Sequence, residues 1–65
     1  MTAKERARLH GFWTHKQTGE RIAVSRVTMY GEAHARTVDS LGHEVGPKEI
    51  MLVRDLKEEY VRGMP

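Results

Sequence analysis

Gly19, Gly31 and Gly42 each follow a polar, turn-forming stretch, and the short runs between them alternate apolar and polar residues. Glycine reaches positive φ without a steric penalty, which suits the last position of a hairpin turn that ends in a bulge. The chain contains no Asn, so glycine must supply nearly every such position. Three glycine-marked turns separated by alternating runs describe an antiparallel meander.

The first strand is expected at Gly11 to His15, where Phe12, Trp13 and Thr14 favour extended backbone. Lys16-Gln17-Thr18-Gly19 closes the first hairpin. Glu20 to Met29 is the strongest strand. Its apolar positions run Ile22 and Val24, then Val27 and Met29, so the period-two pattern slips by one residue. That slip predicts a β-bulge near Ser25-Arg26, and a strand bent in its middle can serve two sheets of a small barrel. Tyr30-Gly31-Glu32 turns the chain into a third strand, Ala33 to Asp39, whose inward face is ambiguous. Asp39-Ser40-Leu41-Gly42 reads as a type I turn with Gly42 left-handed. His43 to Gly46 is a fourth strand ending before Pro47.

The ends of the chain read as helical. Thr2 caps residues 2–9, with Glu5 at capping-box spacing, although so short a helix must dock or fray. Near the carboxyl end, Glu49 to Arg54 reads as a fifth strand, followed by a helix from Asp55 to Arg62 that stops at Gly63. The alternative is one helix from Pro47 to Arg62, since Ile50, Val53, Leu56 and Tyr60 share a helical stripe. The expected fold is therefore mainly β, a small barrel or bent antiparallel meander with a short carboxyl-terminal helix. The alternative is an α+β fold with a four-stranded meander and one long helix.

The 65 residues allow a single domain, 1–65, with residues 1–10 as a helical or frayed extension. Hydrophobic residues make up 38% and charged residues 31%, a balance that suits a thin-cored folded domain. No apolar run approaches the roughly 20 residues of a membrane span. The opening Met1-Thr2-Ala3-Lys4-Glu5-Arg6 lacks a signal-peptide apolar stretch. With no cysteine, neither disulfides nor thiolate zinc sites arise, and a cytoplasmic setting is expected.

On the five-strand reading the chain resembles the small SH3-like barrels, including Tudor and KOW-type domains. The resemblance is carried by Phe12-Trp13-Thr14-His15 with Thr18-Gly19, by the bent strand Ile22 to Met29, by Val38-Asp39 with Gly42, and by Ile50 to Val53. It covers roughly residues 11–56 and rests on turn spacing and alternation. The Trp13-Thr14-His15 hairpin with Arg54-Asp55-Leu56 opening a last helix also looks like small uncharacterised bacterial and phage domains. No binding residues carry over, because Phe12, Trp13, Tyr30 and Tyr60 are the only aromatics and no aromatic ligand groove is visible.

Chemistry-bearing patterns are sparse. His10, His15, His34 and His43 lack metal-ligand spacing, so neither a metal nor a cofactor is expected. Ser25 and Ser40 have no activating neighbourhood, His43 with Asp39 and Glu44 reads as a structural turn, and no phosphate-binding glycine loop exists. An enzyme is not expected. Phe12 and Trp13 are adjacent on a strand and point to opposite faces, so one can fill the core while the other meets a partner. The leading expectation is a protein-interaction module, in the manner of a phage or mobile-element accessory that binds a host protein, with contacts at Trp13, Phe12 and Tyr30. The alternative is weak, non-sequence-specific binding of DNA or RNA by Lys4, Arg6, Arg8, Arg21, Arg26 and Arg36. The net charge of +2 permits that reading without requiring it. The discriminating feature is whether these basic residues share a face. A thin core would also gain from homo-oligomerisation.

Overall fold

The computed structural model describes residues 2–63. Helix α1 (Ala3–Arg8) leads into strands β1 (Gly11–His15), β2 (Arg21–Val27), β3 (Glu32–Val38) and β4 (Glu44–Leu52), then helix α2 (Val53–Glu59) and strand β5 (Tyr60–Arg62). The strands form one open antiparallel sheet in the order β4-β3-β2-β1-β5. The Thr2 side chain caps α1 by accepting from the Glu5 N–H at 3.1 Å, as the capping-box spacing implies.

Alternation decides which residues enter the core. On one face lie Trp13, Ile22, Val24, Val27, Ala33 and Ala35, which join Leu9 behind α1 and Val53 and Leu56 of α2 in a single buried cluster. This resolves the ambiguity of β3: Ala33 and Ala35 are inward, at 0% and 1% exposure. Leu56 is fully buried. Burying one such side chain contributes about 1.5–3 kcal/mol, which is what fastens a seven-residue helix too short to persist alone.

The bulge in β2 is where the slipped pattern puts it. Val24 pairs with Ala35 and Arg26 with His34, so Ser25 is the extra residue. Its hydroxyl donates to the His34 carbonyl at 3.4 Å. The skipped residue restores Val27 to the core face and sends Arg26 outward.

The second half of the chain departs from the sequence reading in three ways. The expected fourth and fifth strands are one strand, β4. Pro47 does not end it because β4 lies at the edge of the sheet, where a missing N–H breaks no ladder bond. Between the pairs Val38–Glu44 and Arg36–Lys48, the single residue Thr37 spans Val45, Gly46 and Pro47, and this wide irregularity accommodates the ring. Next, α2 begins at Val53 rather than Asp55, has no side-chain cap, and is tethered instead by the Val53 N–H donating to the Gly31 carbonyl at 2.8 Å. The long helix from Pro47 is excluded with it. Finally, the helix stops at Glu59, and Tyr60–Arg62 is a strand that adds to the free edge of β1.

Two hairpins are closed by the same device. In the β2–β3 turn the Gly31 N–H donates to the Thr28 carbonyl and the Thr28 N–H to the Glu32 carbonyl; in the β3–β4 turn Gly42 and Asp39 repeat this with His43. Gly31 and Gly42 have φ of 80° and 85°, so both need the left-handed region. They differ in surroundings. A Cβ on Gly31 would meet nothing within 4 Å, whereas one on Gly42 would sit 3.3 Å from the Phe12 ring. The β3–β4 turn thus folds against Phe12 on the outward face of the sheet, where Val38 is also buried.

This difference is measurable by thermal melting. Asn tolerates the left-handed region, so Gly31→Asn should cost less than about 1 kcal/mol. Gly42→Asn should cost about 1 kcal/mol more, because the ring must give way. In a Phe12→Ala background the extra cost should vanish; if it persists, the turn does not rest on Phe12.

The Asp39 carboxylate anchors its turn by accepting the Leu41 and His43 N–H groups, each at 2.9 Å. The His43 backbone bond is the main reason its pKa lies below the ordinary value. A depressed folded-state pKa adds stability that is complete above the usual carboxylate range and is lost as pH falls through the folded value. Melting temperature should therefore decline below about pH 4, and the decline should be shallower in Asp39→Asn.

Candidate functional site

Residues paired across neighbouring strands share a face, so the register determines what the outer face carries. One row across the sheet is Phe12, Ala23, Arg36 and Lys48. The next is Arg26, His34 and Ile50. Beyond the first row lie Val61, Thr14 and Arg21. Arg21, Arg26 and Arg36 therefore share a face, and Lys48 joins them. The two central rows contain no carboxylate. Glu32 and Glu44, paired with Leu52 and Val38, lie toward opposite ends of the face.

Arg36 and Lys48 are direct cross-strand neighbours, an arrangement that costs stability because like charges are held a few ångströms apart. Among the described residues the ion pairs are His43–Asp39 and Arg54–Asp55, and neither relieves Arg26, Arg36 or Lys48. Apolar groups are interleaved with these cations: Phe12 is 41% exposed and Ile50 58%. Phe12 is held on one side by the Gly42 turn, which fixes where its ring stands.

The opposite side carries a local cluster of carboxylates around Tyr60. Tyr60 faces His15 across the β1–β5 pair, with the rings edge-on and their centroids 4.9 Å apart. Burial raises the Tyr60 pKa, and the carboxylates of Glu20, Glu49 and Glu59 raise it further. A shallow depression beside them is lined by His15, Lys16, Gln17, Glu58 and Glu59. The His15 Nδ1 accepts the Gln17 and Thr18 N–H groups at 3.1 and 3.2 Å, so this ring organises the first hairpin.

The other residues singled out by sequence fall in different places. Trp13 is a core residue, 7% exposed, with Nε1–H donating to the Leu9 carbonyl at 2.9 Å and the Arg62 guanidinium 5.3 Å from its ring centroid. Of the two adjacent aromatics, Phe12 is thus the one presented outward. Tyr30 is 82% exposed at the β2–β3 turn, on a shallow groove with Gly31, Leu52, Val53, Arg54 and Lys57. Lys4, Arg6 and Arg8 sit on α1, not on the sheet rows. Among the described residues, no three His, Asp or Glu side chains converge as metal ligands, and no helix is long and apolar enough to cross a membrane. Lys48, His34 and Ile50 were not singled out as site residues by the sequence, because only the register shows which face they occupy.

Comparison with protein-family models, with curated proteins and with solved structures finds no match to this chain.

The Arg36–Lys48 pair yields a prediction in which stability and charge oppose one another. Arg36→Glu places an opposite charge across from Lys48 and should raise stability by roughly 0.2–1 kcal/mol. That gain would appear as a melting temperature higher by up to several degrees. A lower melting temperature for Arg36→Glu than for Arg36→Gln would mean that the two side chains do not face each other.

Proposed function

We propose that the protein is a small, non-enzymatic nucleic-acid-binding module that uses the outer face of its sheet. The observation that carries this reading is the unrelieved pairing of Arg36 with Lys48, flanked by Arg26, in the carboxylate-free centre of that face. A polyanion supplies the counter-charge that the folded chain lacks, and phosphate contacts alone give binding with little sequence preference. The carboxylates of Glu20, Glu49 and Glu59 near Tyr60 disfavour the same ligand locally. The reading extends to the fold, as a member of the SH3-like barrels. It is supported by the strand order β5-β1-β2-β3-β4, by the bent β2, and by the short helix between the last two strands. A cytoplasmic location fits it.

The test is fluorescence anisotropy with random-sequence oligonucleotides at several salt concentrations. About three phosphate contacts, from Arg26, Arg36 and Lys48, imply a slope of log affinity on log salt of about −2 to −3. Arg36→Gln should weaken binding and reduce the slope by roughly one. Unlabelled polyglutamate is the control for an acidic protein ligand. If it competes as well as nucleic acid at equal charge, the face is a docking surface for acidic proteins instead.

A second reading, a protein contact, is favoured by the exposed Tyr30 and Leu52, which line the groove beside α2. Its signature is protein captured after nuclease treatment, lost with Tyr30→Ala and kept with Arg36→Gln.

A further inference from the structure

We infer that the ligand of the outer face is single-stranded, and that Phe12 stacks on one of its bases. This rests on the nucleic-acid reading above and narrows it. The decisive feature is an aromatic ring set among cations: Phe12 is exposed on the same row as Arg36 and Lys48. A duplex turns its phosphates outward and keeps its bases stacked inside, so it brings no free base face to that ring. The elements that could enter a groove are also committed elsewhere. The helices have six and seven residues, and Leu9, Val53 and Leu56 fasten them to the inner face.

A single strand has no such constraint. It can lie across a broad surface with its phosphates near cations and its bases turned onto apolar side chains. The outer face offers that alternation. Phe12 shares a row with Arg36 and Lys48, separated from Arg36 by Ala23, whose methyl group leaves the ring approachable from that side. Arg26 and His34 lie in the adjoining row. The ring is 41% exposed and is steadied by Gly42, so little ordering is needed when a base arrives.

The experiment measures anisotropy of fluorescein-labelled dT12 and of a 12-base-pair duplex at one low salt concentration, with the parent chain, Phe12→Leu, Phe12→Tyr and Arg36→Gln. The expected result is that dT12 binds about tenfold tighter than the duplex. Phe12→Leu, which keeps an apolar contact for the Gly42 turn, should lose most of that preference and leave duplex binding unchanged. Phe12→Tyr, which keeps a ring, should bind as the parent does. Arg36→Gln should weaken both ligands together. Equal or tighter duplex binding overturns the single-strand inference and leaves the nucleic-acid reading standing. So does a Phe12→Leu chain that binds dT12 like the parent. Failure of the parent to bind either ligand overturns the nucleic-acid reading itself, and the inference with it.

Discussion

One extra residue in β2 determines how this molecule presents its charge. Before Ser25 the even-numbered residues Ile22 and Val24 face the core; after it the odd-numbered Val27 does. Without the bulge, a strand of strict period two would turn Arg26 inward and Val27 outward. A guanidinium in the core of a 65-residue chain would need a partner that the apolar cluster does not contain. The bulge keeps the arginines of β2 on the outer face across the whole sheet, and the β3 and β4 registers bring Arg36 and Lys48 beside them.

The turns and the first three strands were legible in the sequence because each is written in a local code. Glycine marks the left-handed positions, Asp39 supplies the turn acceptor, and a slipped alternation marks the bulge. The carboxyl-terminal third was not legible in that way. Pro47 looks like a strand terminator unless the strand is known to be an edge, and edge position is a property of the assembled sheet. Tyr60–Arg62 is three residues long, too short to display a period, and its strand geometry depends on pairing with β1. The candidate site shared this division. Arg21, Arg26 and Arg36 stood out by charge, but that they share a face, and that Lys48 completes the group, follows from the register of β3 against β4.

The core is small, and the outer face adds to the difficulty. The largest fully buried side chains are Ile22 and Leu56, and chains of this size bury only roughly 60% of the surface that they expose when unfolded. Against that background the Arg36–Lys48 pairing is an expense that folding alone does not require. Phe12 serves both sides of the balance, since it supports the Gly42 turn and remains exposed beside the cations. Stability and the proposed binding therefore draw on the same few residues of the outer face.

Amide chemical-shift mapping tests the central claim most directly. With 15N-labelled protein titrated with dT12, the account predicts perturbations concentrated at Phe12, Ala23, Arg26, His34, Arg36 and Lys48. His15, Glu20, Glu59 and Tyr60, in the carboxylate-rich patch, should stay unmoved. Perturbations centred on that patch, or spread evenly over both faces, would contradict it.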